Sequence, residues 1–357
     1  MKRYLMLLLS LAMFTACLTG CGDSKDGETA DSASETESTA EGFDLANYKI
    51  DLTNNLTNEN ATDAAKAVYN FILYCRGNVI ISGQQESPNA SAPEISDIYK
   101  IAGTTPVIRG FDFINDDFDG VTMRAESWWS VGGLVTICWH MGTPPDGVGY
   151  ESSQGTFNVA KALEEGTTEH EQLMAYFDMA VPALKQLQDD GIAVLWRPFH
   201  EADGKWFWWG KAGAENFVKL WQLMYDYYTN ECGLNNLIWV CGLSELGFKG
   251  GDWYPGDDYV DIFGADIYAS THDSQSGLYE GVAAIAPNKP ICLHECGLIP
   301  DPDTLVEDKA EWSWFMCWTS DWLHKNTDEE INAFYNHEYV LAMNRMPDLA
   351  SQLAELN

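Results

Sequence analysis

The chain has 357 residues, 46% of them apolar, with 54 acidic side chains against 20 basic ones and a formal net charge of −34. A field of that sign repels phosphate backbones and anionic polymers, so nucleic acid is excluded as a natural partner and a neutral substrate is favoured. Length and apolar content allow one large core, and no internal repeat or second linker divides the chain.

Lys2 and Arg3 precede an apolar run from Tyr4 to Phe14, too short to span a bilayer and placed like the core of an export signal. Leu18-Thr19-Gly20-Cys21 resembles the cleavage box of bacterial lipoproteins, which implies that Cys21 is lipidated and opens the mature chain. From Gly22 to Gly42 only Ser, Thr, Ala, Gly, seven acids and one lysine occur, a composition that cannot bury enough surface to fold. The expected organisation is residues 1–21 as signal, 22–58 as solvated tether and entry segment, and 59–357 as one catalytic domain. The protein is expected to be an exported monomer that touches the membrane through its lipid alone.

Apolar periodicity places a helix over Asp63–Cys75 and strands over Val79–Gly83, Pro106–Phe113, Leu134–Trp139 and Val194–Phe199. A helical pattern covers Glu169–Gln188 and another Ala214–Tyr228. Strands at Leu237–Val240, Asp261–Tyr268, Ile291–Glu295 and Phe315–Trp318 bring the count to eight. Alternating strands and helices predict a parallel sheet, and eight units predict closure into a single (β/α)8 barrel. Functional groups of that fold sit at the C-terminal ends of its strands. His140 follows strand three, His200 and Glu201 follow strand four, Asp266 and Tyr268 end strand six, Glu295 ends strand seven and Trp318 ends strand eight.

The most unusual stretch is VLWRPFHEADGKWFWWG, Val194 to Gly210, where a buried strand gives way to a polar cluster capped by aromatics. A carboxyl beside apolar rings is poorly solvated and its pKa rises, which suits a proton donor near neutral pH. The plainer alternative is that the tryptophans are core and Glu201 only caps the next helix. Strand alternation sets Arg197, Phe199 and Glu201 on one face, so His200 reaches the site only if a bulge re-aims the strand end; such a bulge is expected, with Arg197 buried as a positioning charge.

WRPFHE followed by WFWWG, then YPGDDYVDIFGADIY and LHECG, resembles glycoside hydrolase family 26, whose best-known members are endo-β-1,4-mannanases. The resemblance implies Glu201 as acid/base and Glu295 as nucleophile of a retaining hydrolysis of mannan or glucomannan. It further implies sugar contacts from His140, His200 and Trp318, an aromatic wall at Trp206, and Asp266 and Tyr268 as organisers of the nucleophile. Thr319 stands after Trp318, where the family often has a basic or polar residue. Another β-glycanase of the family, acting on β-1,3-xylan or mixed-linkage glucan, stays open, as do a glycan-binding lipoprotein with an inactive barrel and a metal-dependent hydrolase.

No cofactor or metal is expected. Cys292, His294 and Cys296 alternate around Glu295, but no second ligand pair completes a zinc site. Asn115, Asp117, Asp119, Gly120 and Glu126 have the spacing of a calcium loop, with Asn in the first place, in what reads better as a solvated acidic loop. Processing and lipidation of Cys21 leave seven other cysteines, so at least one of them is unpaired in a monomer. Trp312, Trp314 and Trp322 read as packing residues, and Trp128 and Trp129 fit cleft or core equally.

Overall fold

The computed structural model describes residues 43–88, 92–244 and 251–356; Cys21 and the tether to Gly42 lie outside them. Eight parallel strands form the barrel: β1 (Ile80–Gln85), β2 (Ile108–Asp112), β3 (Leu134–Cys138), β4 (Val194–Arg197), β5 (Leu237–Ser244), β6 (Ile262–Ile267), β7 (Ile291–Cys296) and β8 (Trp314–Cys317). Each pairs with its sequence neighbour, and β1 pairs with both β2 and β8, which closes the sheet and leaves no barrel edge. A two-residue strand not expected from the sequence, β9 (Val340–Leu341), adds to the start of β1 and accepts the Ser82 hydroxyl at Leu341 O.

Helices cover the outside because their apolar residues recur every three or four positions. In the helix Thr168–Asp189, Leu173, Phe177, Ala180, Leu184 and Leu187 are buried, and Thr167 caps the start by accepting from the His170 N–H at 3.1 Å. An aromatic layer joins barrel to helices: Trp196 lies 6.0 Å from Phe113 and 6.1 Å from Tyr228. Trp128 and Trp129 end the helix Phe118–Ser130 and are buried, which settles them as core. That helix also accounts for the calcium-like spacing. Asp117 pairs with Arg124 at 3.2 Å and Glu126 accepts from Gln186 at 2.6 Å, so these acids face separate partners.

Two local features aim the site, and neither is the bulge expected on strand four. β4 stops at Arg197, two residues short of the expected end, and the chain turns through left-handed conformations at Phe199 (φ 53°) and Glu201 (φ 51°). Such φ values cost a non-glycine residue about 1–3 kcal/mol each. Tertiary bonds hold them, with Glu201 N–H donating to Gly242 O at 3.1 Å and the Trp209 indole donating to His200 O at 2.8 Å. The irregular strand is β7. Ala265 faces Leu293 while Asp266 faces Glu295, so β7 carries one residue more than β6. Alternation is thereby broken at His294, and His294 and Glu295 both point into the barrel, toward Thr136 and Arg197 respectively.

Candidate active site

Arg197 is the centre of the site. It is fully buried at the end of β4, where Nη1 donates to Glu295 Oε1 at 2.8 Å and Nη2 donates to Asp266 Oδ2. Burial works against the guanidinium charge, but the two carboxylates more than offset it and hold its pKa above the ordinary arginine value. Gly242 on β5 leaves the space: a Cβ there would stand 3.2 Å from Arg197 Nε. The second oxygen of Glu295 accepts from the Tyr268 hydroxyl at 2.6 Å. Tyr268 thus hydrogen-bonds Glu295 directly, whereas the hydrogen-bond link from Asp266 to Glu295 runs through Arg197.

Glu201 sits differently. Its Oε2 accepts from the Trp206 indole at 3.0 Å, and among the described residues no cation pairs with it. Burial, and then the charge of Glu295, push its carboxyl up to about 8, while Arg197 and the Trp206 bond pull the other way. Carboxylate oxygens of Glu201, Asp266 and Glu295 lie within 4.8 Å of one another. Two carboxyls therefore share one pocket with different partners, Glu295 beside a cation and Glu201 beside an indole.

Trp206 is half-buried, whereas Trp208 and Trp209 are core. The aromatic run is thus split between cleft and interior. A side chain at 204 would collide with the Trp206 ring at 2.0 Å, so Gly204 lets that ring lie over Glu201.

On the other side, His140 and Trp318 line a cavity of about 170 Å³ together with Gln85, Glu86, Asp112, Tyr150 and Thr319. Trp318 is fixed by its backbone, its N–H donating to Cys296 O at 2.9 Å and its carbonyl accepting from Gln84 at 2.8 Å. His200 is buried behind His140, with their Nε2 atoms 3.1 Å apart. Every residue singled out from the sequence as a site residue within the described range is therefore at this end of the barrel. Asp112, Tyr150 and Phe207 were not singled out. The Phe207 ring lies 5.4 Å from His140 and 5.1 Å from His200, and only Asp112, a charge ending an apolar strand in FDF, carried a signal.

Neither acidic cluster is shaped for a metal. Arg197 already occupies the space between Asp266 and Glu295, and in the group of Asp112, Cys138 and His140 the carboxylate is hydrogen-bonded to the ring. Burial raises the Cys138 thiol well above its usual range. The seven cysteines among the described residues are all unpaired, and His294 bonds Thr136 at 3.2 Å. A larger groove, about 580 Å³, lies on the flank and is lined by Asp97, Lys100, His324 and Asp328, away from these carboxylates.

The sequence pattern of Glycosyl hydrolase family 26 matches residues 57–345. A mannan endo-1,4-β-mannosidase of Thermothelomyces thermophilus is 32% identical over 314 residues, which are 82% of this chain and 63% of that protein. The chain spans 50% to 63% of the length of three such curated mannosidases. The crystal structure of a ruminal endo-β-1,4-mannanase of the family superposes with a TM-score of 0.78 at 30% identity, over 84% of this chain and 71% of that one. A β-mannanase from a symbiotic protist of the termite Reticulitermes speratus, complexed with gluco-manno-oligosaccharide, gives a TM-score of 0.76 at 32% identity, over 84% and 99%. Pattern, barrel and similarity agree that the chain belongs to glycosyl hydrolase family 26.

Proposed function

We propose that the protein hydrolyses internal β-1,4-mannosidic bonds of mannan or glucomannan with retention of configuration, Glu201 serving as acid/base and Glu295 as nucleophile. The observation that carries this reading is the short distance between the two carboxyls, within 4.8 Å at their nearest oxygens. Retaining glycosidases place the pair at about 5–5.5 Å, whereas inverting ones leave about 6.5–9.5 Å for a water. Glu201, protonated at neutral pH, gives its proton to the leaving oxygen while Glu295 attacks the anomeric carbon. Glu201 then takes a proton from the water that releases the glycosyl-enzyme. Arg197 and Tyr268 hold and orient Glu295, His140, Trp318 and the cavity they border receive the glycone side, and Trp206 walls the cleft; His200, buried behind His140, acts through that ring rather than by the direct sugar contact expected from the sequence.

Assaying the protein on mannan, glucomannan, lichenan and xylans, with the first-formed anomer read by NMR, tests both halves. Mannan cleavage giving the β-anomer is expected. Activity confined to lichenan or xylan rejects the substrate, and a first-formed α-anomer rejects the mechanism.

The Trp206 bond favours the charged form of Glu201, so removing it raises the carboxyl pKa further. Because the acid must be protonated, Trp206→Phe is expected to move the alkaline limb of kcat/KM to higher pH. An unmoved limb would show that the indole does not act on the acid.

The lipobox and tether support export and a lipid anchor on a cell surface or envelope. Wild-type protein is expected in the membrane fraction and Cys21→Ala outside it. Equal partition of the two would reject the anchor.

A further inference from the structure

The two histidines beside the carboxylates leave a question of protons. His140 Nε2 and His200 Nε2 are 3.1 Å apart, so one must carry a hydrogen and the other must be bare. Asp112, at the end of β2, accepts from the His140 backbone N–H at 2.9 Å and bonds the ring at Nδ1. An ionised carboxylate only accepts, so Nδ1 carries a proton. With His140 neutral its Nε2 is bare, His200 donates from Nε2, and His200 Nδ1 is left bare. With His140 charged, its Nε2–H donates and His200 carries its hydrogen on Nδ1. His200 Nδ1 is buried with no partner among the described residues, so nothing but His140 fixes its state.

The surrounding charges choose between the two. His140 faces Asp112 from β2, Glu295 from β7 and Arg197 from β4; burial is the largest single effect and lowers its pKa, but the charge and hydrogen bond of Asp112 and the charge of Glu295 together raise it. His200 faces His140, Arg197 and His294, and burial followed by the His140 charge pushes it well below the ordinary histidine range. His294 is itself driven neutral by burial.

We propose that Asp112 is a positioning residue of the hydrolytic site: it holds His140 as an imidazolium whose Nε2–H donates to His200 Nε2, fixing His200, the neighbour of Glu201, as the Nδ1–H tautomer. A cation then stands in the wall of the glycone-side cavity and within the field of Glu295. Only the consequence for catalysis rests on the proposed mannanase reading.

Histidine 15N NMR of the resting protein tests the proton arrangement without substrate. Both ring nitrogens of His140 are expected to be protonated near neutral pH, and His200 on Nδ1 alone. Asp112→Asn keeps the shape and an acceptor for the backbone N–H but turns an NH2 toward Nδ1. His140 then becomes neutral with its hydrogen on Nε2 and titrates at lower pH, while His200 keeps Nδ1–H. Asp112→Ala releases the ring. Both variants should lose kcat/KM on mannan, the alanine variant by about tenfold more, the size of one hydrogen bond. If the alanine variant does not fold, the isosteric asparagine variant carries the test alone through its His140 titration. A wild-type His200 protonated on Nε2, or an unchanged His140 titration in Asp112→Asn, overturns the proposal. A wild type inactive on mannan with the expected NMR pattern would reject the mannanase reading and leave the arrangement standing.

Discussion

Replacing Glu201 by alanine is expected to slow mannan cleavage by about 10²–10⁴, the usual worth of general acid catalysis to a poor leaving group. An activated aryl mannoside is expected to behave otherwise, because dinitrophenolate leaves without a proton. Glycosylation of Glu295 should stay fast, release of the glycosyl-enzyme should slow for lack of a base, and a pre-steady-state burst should appear. Azide can enter the vacated space and attack without base help, giving a β-mannosyl azide. Glu295→Ala has no nucleophile, so natural and activated substrates should suffer together and no burst should form. Equal loss on both substrates in Glu201→Ala, or a burst in Glu295→Ala, would reverse or reject the assignment.

Arg197→Met should be the most damaging substitution for the fold. It leaves Asp266 and Glu295, both buried, without their shared cation, and breaking a buried pair from one side costs about 3–5 kcal/mol. Chemical denaturation at constant m-value measures the loss. The pH dependence has a defined sign. Without the arginine, burial favours the neutral form of each carboxyl, so the folded state binds more protons than the unfolded one. Stability of the variant then falls as pH rises, and the deficit relative to wild type should be smaller near pH 5 than near pH 7. A deficit below about 1 kcal/mol, or one independent of pH, would mean that solvent reaches the carboxylates and that Arg197 is not their buried partner.

The barrel was legible because each strand is a short apolar run bounded by turn signals, and the strand ends named the residues that could meet. Arg197 was legible as a buried charge, since an arginine inside an apolar strand has to find a partner. The strand register at the site was not. A period of two, followed through Arg197 and Phe199, placed Glu201 correctly but demanded a bulge on β4 to bring in His200. The chain instead ends the strand and turns through Phe199 and Glu201 at positive φ, while the bulge falls at His294 on β7. Neither residue type announces this, because the strain is held by bonds from Gly242 and Trp209 that local pattern does not contain.

By itself the sequence determined the fold class and the acidic character that favours a neutral substrate, because both reside in composition and periodicity, and it set Glu201 and Glu295 at strand ends, with their roles implied by the resemblance. Only the tertiary structure decided which glutamate has the cation and which the indole. Arg197 meets Glu295 across 98 residues of chain, while the Trp206 bond to Glu201 spans five but depends on a left-handed turn. Asp112 came to matter in the same way, through a carboxylate on β2 meeting a ring after β3. A pKa is set by burial and by neighbours in space, and closing the barrel is what supplies both.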